Sequence, residues 1–132
     1  MIRAALVLCL ATGAQAATVG EEDAMTINPL GGADFEVVSG SYSGVAEYYW
    51  CGAATYVIRR TGRSPLTPVY LKRPPGPSVT VPGRKGVVFS TSDEGLPPAR
   101  ERLTLTMETP GAMLKAVAAR SYCRDAFTRS TK

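Results

Sequence analysis

Hydrophobic and polar positions divide this chain into segments of different period. Ala4 to Leu10 is a short apolar run that follows Arg3 and stops before Thr12 and Gly13. Asp34-Phe35-Glu36-Val37-Val38 alternates, predicting a strand with Phe35 and Val37 on one face and Asp34 and Glu36 on the other. Between Ser43 and Gly62 the apolar residues recur at helical spacing instead. Ala46, Trp50, Ala53, Ala54 and Val57 form a stripe flanked by Cys51 and Ile58, with Tyr48, Thr55 and Arg59 opposite. Ser43 or Gly44 can cap this helix, Glu47 suits its first turn, and Arg59 and Arg60 suit its last before a stop at Gly62. Gly52 in a helix interior costs about 1 kcal/mol relative to alanine. A close neighbour is therefore expected there, most simply the segment bearing Cys123.

Downstream, Pro68 to Arg73 reads as an edge strand, because proline cannot donate to a central ladder. Pro74-Pro75-Gly76-Pro77 reads as an extended or turning connection. Gly86 to Thr91 predicts a buried strand, and Arg102 to Met107, which alternates cleanly, predicts a half-buried one. Thr109-Pro110-Gly111 then supplies a turn, so Ala112 to Ala118 is expected to return as a hairpin strand. Leu114, Val117, Ala118 and Ser121 also fit a helical stripe, and a short turn or helical segment is expected to carry Cys123. Residues 17–33 read as a flexible N-terminus ending in a turn, 34–125 as one domain, and 126–132 as a frayed end. The expected fold is α+β: one main helix packed on an antiparallel sheet of four or five strands, with one disulfide.

Residues 1–16 have the anatomy of a signal peptide: Arg3, the apolar run, then Ala14-Gln15-Ala16 as a cleavage site. The run is too short to span a membrane, which takes about 18 residues or more, so no transmembrane segment is expected after processing. Removing these residues from the 132-residue chain leaves 116, enough for one domain with its own core. Cys9 leaves with them, and Cys51 and Cys123 remain. Two cysteines in an exported chain most often pair, with a free reactive thiol at Cys51 as the alternative. The loop closed by pairing corresponds to about 4 to 5 kcal/mol at most.

The Tyr48-Tyr49-Trp50-Cys51-Gly52-Ala53-Ala54 helix, the Gly86-Val87-Val88-Phe89-Ser90 strand and the Ser121-Tyr122-Cys123-Arg124 end resemble small uncharacterised exported proteins of proteobacteria. The resemblance covers most of the mature chain. It implies a periplasmic or secreted location and the Cys51–Cys123 pairing, and it brings no activity with it.

The chain contains no histidine, which removes Ser-His-Asp and Cys-His catalytic sets and the commonest transition-metal ligand. Gly40-Ser41-Tyr42-Ser43-Gly44 has tyrosine where a nucleophile elbow needs serine, and no phosphate-binding glycine loop has its lysine in place. Asp34 and Glu36 form a carboxylate pair of the kind a glycosidase or calcium site uses, although a solvated strand face explains them more simply. No catalytic residue, metal or cofactor is expected.

Charge is unevenly placed. Residues 17–58 hold six acids and no lysine or arginine, whereas 48–92 hold seven bases and no acid: Arg59, Arg60, Arg63, Lys72, Arg73, Arg84 and Lys85. Those seven are the candidate contact surface, suited to an acidic envelope protein, an anionic glycan or a lipid head group. Alternatively, acidic and basic segments face one another within the fold. A nucleic-acid partner is not expected, since Tyr70 alone is no stacking platform. The sequence thus points to a non-enzymatic binding module of the cell envelope, with an inhibitor of an extracytoplasmic enzyme, or an enzyme using carboxylates alone, as alternatives.

Overall fold

A computed structural model describes residues 22, 24–40, 45–98 and 105–128. Five antiparallel strands form one sheet in the order β1-β2-β4-β3-β5. They are β1 (Thr26–Gly31), β2 (Asp34–Val38), β3 (Pro68–Pro77), β4 (Lys85–Ser90) and β5 (Met113–Lys115). The main helix, α1 (Ala46–Ala54), continues as a π-helical turn over Thr55–Arg60, and two short helices, α2 (Ala116–Arg120) and α3 (Cys123–Thr128), follow β5. The architecture is the expected α+β, and Cys51 is bonded to Cys123 across a sequence separation of 72 residues.

The helices cover one face of the sheet. Phe35, Val37, Val69, Leu71, Val87 and Phe89 point into this core. Trp50 stands edge-on to Phe89 at 4.9 Å, Tyr56 stacks on Phe35 at 4.2 Å, and the Trp50 indole N–H donates to the Thr106 carbonyl at 3.0 Å. Glu47 lies in the first turn, Arg59 and Arg60 in the last, and Gly62 takes φ 70° beyond it, all as the sequence predicts. The N-cap position is Val45 with no side-chain cap; Ser43 and Gly44 lie outside the described residues.

Several expectations are corrected. Tyr48 and Thr55 are buried rather than solvent-facing, because the sheet, the C-terminal helices, Glu22 and Met25 enclose α1 on most sides. Gly52 faces Val37 and Met25, not the Cys123 segment: a Cβ there would lie 2.6 Å from Val37 Cγ1. Residues 26–31 form a strand instead of part of a flexible N-terminus; Pro29 is tolerated because β1 is a sheet edge. β3 is not itself the edge, since β5 pairs with Pro68, Val69 and Tyr70; Pro74, Pro75 and Pro77 lie beyond that cover. Leu105 and Met107 are half-buried outside any strand, and residues 102–104 lie outside the described set. The strand at Met113 ends at Lys115 and pairs with β3 rather than forming a hairpin. Ala126, expected to fray, is 1% exposed within α3. The leader, residues 1–16, also lies outside the described residues. Among the described residues, no helix is long and apolar enough to cross a membrane.

Candidate functional site

The second face of the sheet carries the polar chemistry. Strand alternation places Asp34, Glu36 and Val38 there, with Ser90, Val88 and Gly86 opposite them on β4. Over one half of this face the β3–β4 connection folds back, and Glu36 fixes it. Its carboxylate accepts hydrogen bonds from the Ser78 and Thr80 hydroxyls and from the Val79 and Thr80 backbone N–H groups, at 2.5 to 3.1 Å. Asn28 Nδ2 donates to the Thr80 hydroxyl, and Arg84 donates to the Ser39 carbonyl. Gly86 makes room for this arrangement, because a Cβ there would lie 2.2 Å from Glu36 Oε2. Glu36 is therefore a buried anchor, not part of a solvated strand face. Burial raises its pKa, but the donors from Thr80, Val79 and Ser78 outweigh that and hold it below the usual carboxylate range.

The other half of the face is open. A pocket of about 240 Å³ lies between the β1–β2 turn and the end of β4, lined by Gly31–Asp34, Lys72, Ser90, Ser92 and Glu94. Gly32 opens the two-residue turn with φ 58°, the conformation that hairpin turns ask of glycine. Leu71 pairs with Phe89 and Arg73 with Val88, so Lys72 is the extra residue of a β-bulge. From that bulge its ammonium reaches across β4 to Asp34 Oδ2 at 2.6 Å. Both side chains stay partly open, at 40% and 28% exposure. Burial pushes the Asp34 pKa up, but hydrogen bonds from Lys72 and Ser90 and the Lys72 charge bring it below the ordinary value. The pocket thus holds an ionised carboxylate beside a cation, with two serines and Glu94 at its margin.

The seven predicted basic residues do not share one patch. Lys72 lies in the pocket, and Arg63 donates to the Thr91 hydroxyl at the same end of the sheet. Arg84 and Lys85 lie at the other end, about 17 Å away by strand rise. Arg73 and Lys85 are exposed. Arg59 and Arg60 turn inward to the N-terminal segment: Arg59 pairs with Glu22 at 2.9 Å, and Arg60 donates to the Met25 carbonyl at 2.8 Å. Glu22, 2% exposed, also meets Arg120 at 3.3 Å and lies within 4.8 Å of both bonded sulfurs. The sharing of Glu22 between two guanidiniums and the bonding of the sulfurs to each other explain this cluster as structural. Acidic and basic segments face one another at Glu22–Arg59 and Asp34–Lys72, as the alternative reading of the charge pattern expected.

Asp34 and Lys72 were both visible in the sequence, one as half of a carboxylate pair and one within the basic run. Ser90, Ser92 and Glu94 carried no site signal, because only the β2–β4–β3 register brings them to the same end of the sheet. No family model, curated protein or solved structure matches this chain.

Proposed function

We propose that this protein is an exported, non-enzymatic binding module that holds a small polar ligand in the pocket between the β1–β2 turn and the end of β4. The observation that carries this reading is the partly open Asp34–Lys72 ion pair within that pocket. A structural ion pair needs no concavity around it, and one exposed to this degree stabilises a fold by about 1 kcal/mol or less. In a pocket, the same pair offers a ligand both an acceptor and a donor. The Cys51–Cys123 disulfide and the leader-like N-terminal sequence support export. On this reading the extended basic surface is not the contact site, since Arg59 and Arg60 bind the N-terminal segment while Arg63 and Arg84 lie at opposite ends of the sheet.

The test is residue-resolved NMR of the purified protein against a library of small polar compounds. A binder should shift the amides of Gly31, Gly32, Asp34, Ser90 and Ser92. Lys72→Ala should weaken that binder about tenfold or more, one lost charge-assisted hydrogen bond, with Arg73→Ala and Lys85→Ala unchanged. A binder that acts through Arg73 and Lys85 and is indifferent to Lys72→Ala would refute the pocket as the site.

A further inference from the structure

The hydrogen-bonding inventory of the pocket narrows its ligand. Asp34 receives the Lys72 ammonium and the Ser90 hydroxyl, two of the roughly four bonds a carboxylate can accept. Lys72 uses one of about three ammonium donors on Asp34. The Ser90 oxygen also accepts the Ser92 backbone N–H at 3.1 Å. The Ser92 oxygen in turn accepts the Glu94 backbone N–H at 3.1 Å, which leaves its own proton for a ligand. Glu94 adds an exposed carboxylate at the rim. Donors and acceptors therefore alternate around a small space. An anion would meet two carboxylates, and a simple cation would meet the Lys72 ammonium. A pair of neighbouring hydroxyls, each donating and accepting, satisfies both signs at once.

An aromatic residue lies beside the site in the ladder. Tyr70 pairs directly with Ser90 in the β3–β4 ladder, and Ser90 pairs with Asp34 on its other side. Paired residues in an antiparallel ladder share a face, with Cβ atoms about 5 Å apart. Tyr70 thus stands half-buried on the pocket's face of the sheet, next to a lining residue and two positions before Lys72. Tyr70 is not itself among the lining residues, but this register puts an aromatic residue next to Ser90, within reach of a ligand that extends past the pocket's open side.

Resting on the pocket reading above, we infer that the ligand is a sugar ring, with two neighbouring hydroxyls on Asp34 and Lys72 and its C–H face against Tyr70. The pocket falls below the usual size of ligand cavities, about 300 Å³ upward, so it accepts one ring, and its open side leaves room for a chain to continue.

The experiment is an NMR titration of the purified protein with glucose, galactose, mannose and N-acetylglucosamine, each alone, beside 1,4-diaminobutane and inorganic phosphate. At least one sugar should shift the amides of Asp34, Tyr70, Ser90 and Ser92 saturably. Tyr70→Ala should weaken it about tenfold, Tyr70→Phe by no more than about threefold, consistent with one aromatic contact. Lys72→Met, which keeps the aliphatic stem, should weaken it about tenfold and guards against a Tyr70→Ala protein that fails to fold. Shifts of the same amides by the diamine or phosphate and by no sugar would overturn the sugar inference while leaving the pocket as the site. Sugar binding that moves only amides around Arg73 and Lys85 would overturn both. No response to any of the four sugars overturns the inference as well.

Discussion

Glu36 concentrates most of the second sheet face into one side chain. A carboxylate at 1% exposure is costly unless its hydrogen bonds are made, and here four donors from a single loop supply them. Its pKa is depressed in the folded state, so its contribution is present above the ordinary carboxylate range, near pH 4, and is lost as the pH falls through the lower folded value. Glu36→Gln places an amide N–H₂ against loop donors and should cost about 1 to 3 kcal/mol at neutral pH. Denaturant midpoints at pH 7 and pH 3 should show the variant closing its gap to the wild type in acid; a gap that stays constant would mean that the charge is irrelevant. Alternation in the sequence placed Glu36 opposite Phe35 and Val37 correctly. It could not reveal burial, because the covering loop arrives from Ser78 to Val81, more than 40 residues later.

Elements were readable in proportion to how far local pattern determined them. The main helix, β2 and β4 carry strong periodicity or clean end signals, and all three lie where the pattern puts them. β1 was hidden by Asn28, Pro29 and Gly31, turn-forming residues that an edge strand tolerates. Residues 105–107 misled in the other direction: Leu105 and Met107 pack on the core, but the intervening Thr106 carbonyl is bonded to Trp50 rather than to a neighbouring strand. β5 is three residues long and owes its existence to pairing with β3, which no window of its own sequence shows. At this scale Gly52 gives a clear choice between two effects. Gly52→Ala gains about 1 kcal/mol of helix propensity, but its methyl would meet the β-branched Val37 at 2.6 Å and Met25 at 3.0 Å. Overpacking of that kind costs about 1 to 3 kcal/mol, so thermal unfolding should show net destabilisation. A rise in melting temperature would show that Val37 and Met25 yield easily.

For the whole molecule, the disulfide joins the interior of the main helix to the last described helix and closes a loop of 72 residues. Cys51 is fully buried and Cys123 is 6% exposed, with Glu22, Arg59 and Arg120 gathered beside them. Replacing both cysteines by alanine should lower stability by up to about 4 to 5 kcal/mol, measured by chemical denaturation under non-reducing conditions. A loss under about 1 kcal/mol would mean that packing alone seats α3 on α1. The charge distribution was visible along the chain, but its meaning was not. The fold uses Arg59 to neutralise buried Glu22 and Lys72 to meet Asp34, so a segregated sequence becomes an interleaved molecule.

The three residues of β5 have an effect out of proportion to their length. They cover Pro68, Val69 and Tyr70, the first three residues of β3, while its far end is protected by Pro74, Pro75 and Pro77, which have no N–H to offer. A polypeptide synthesised only as far as Pro110 therefore bares a short hydrogen-bonding margin together with the α1 surface that α2 and α3 cover, and fragments cut there should self-associate. Proline in place of Val69, which removes a backbone N–H from that margin, should reduce this association, which light scattering would register.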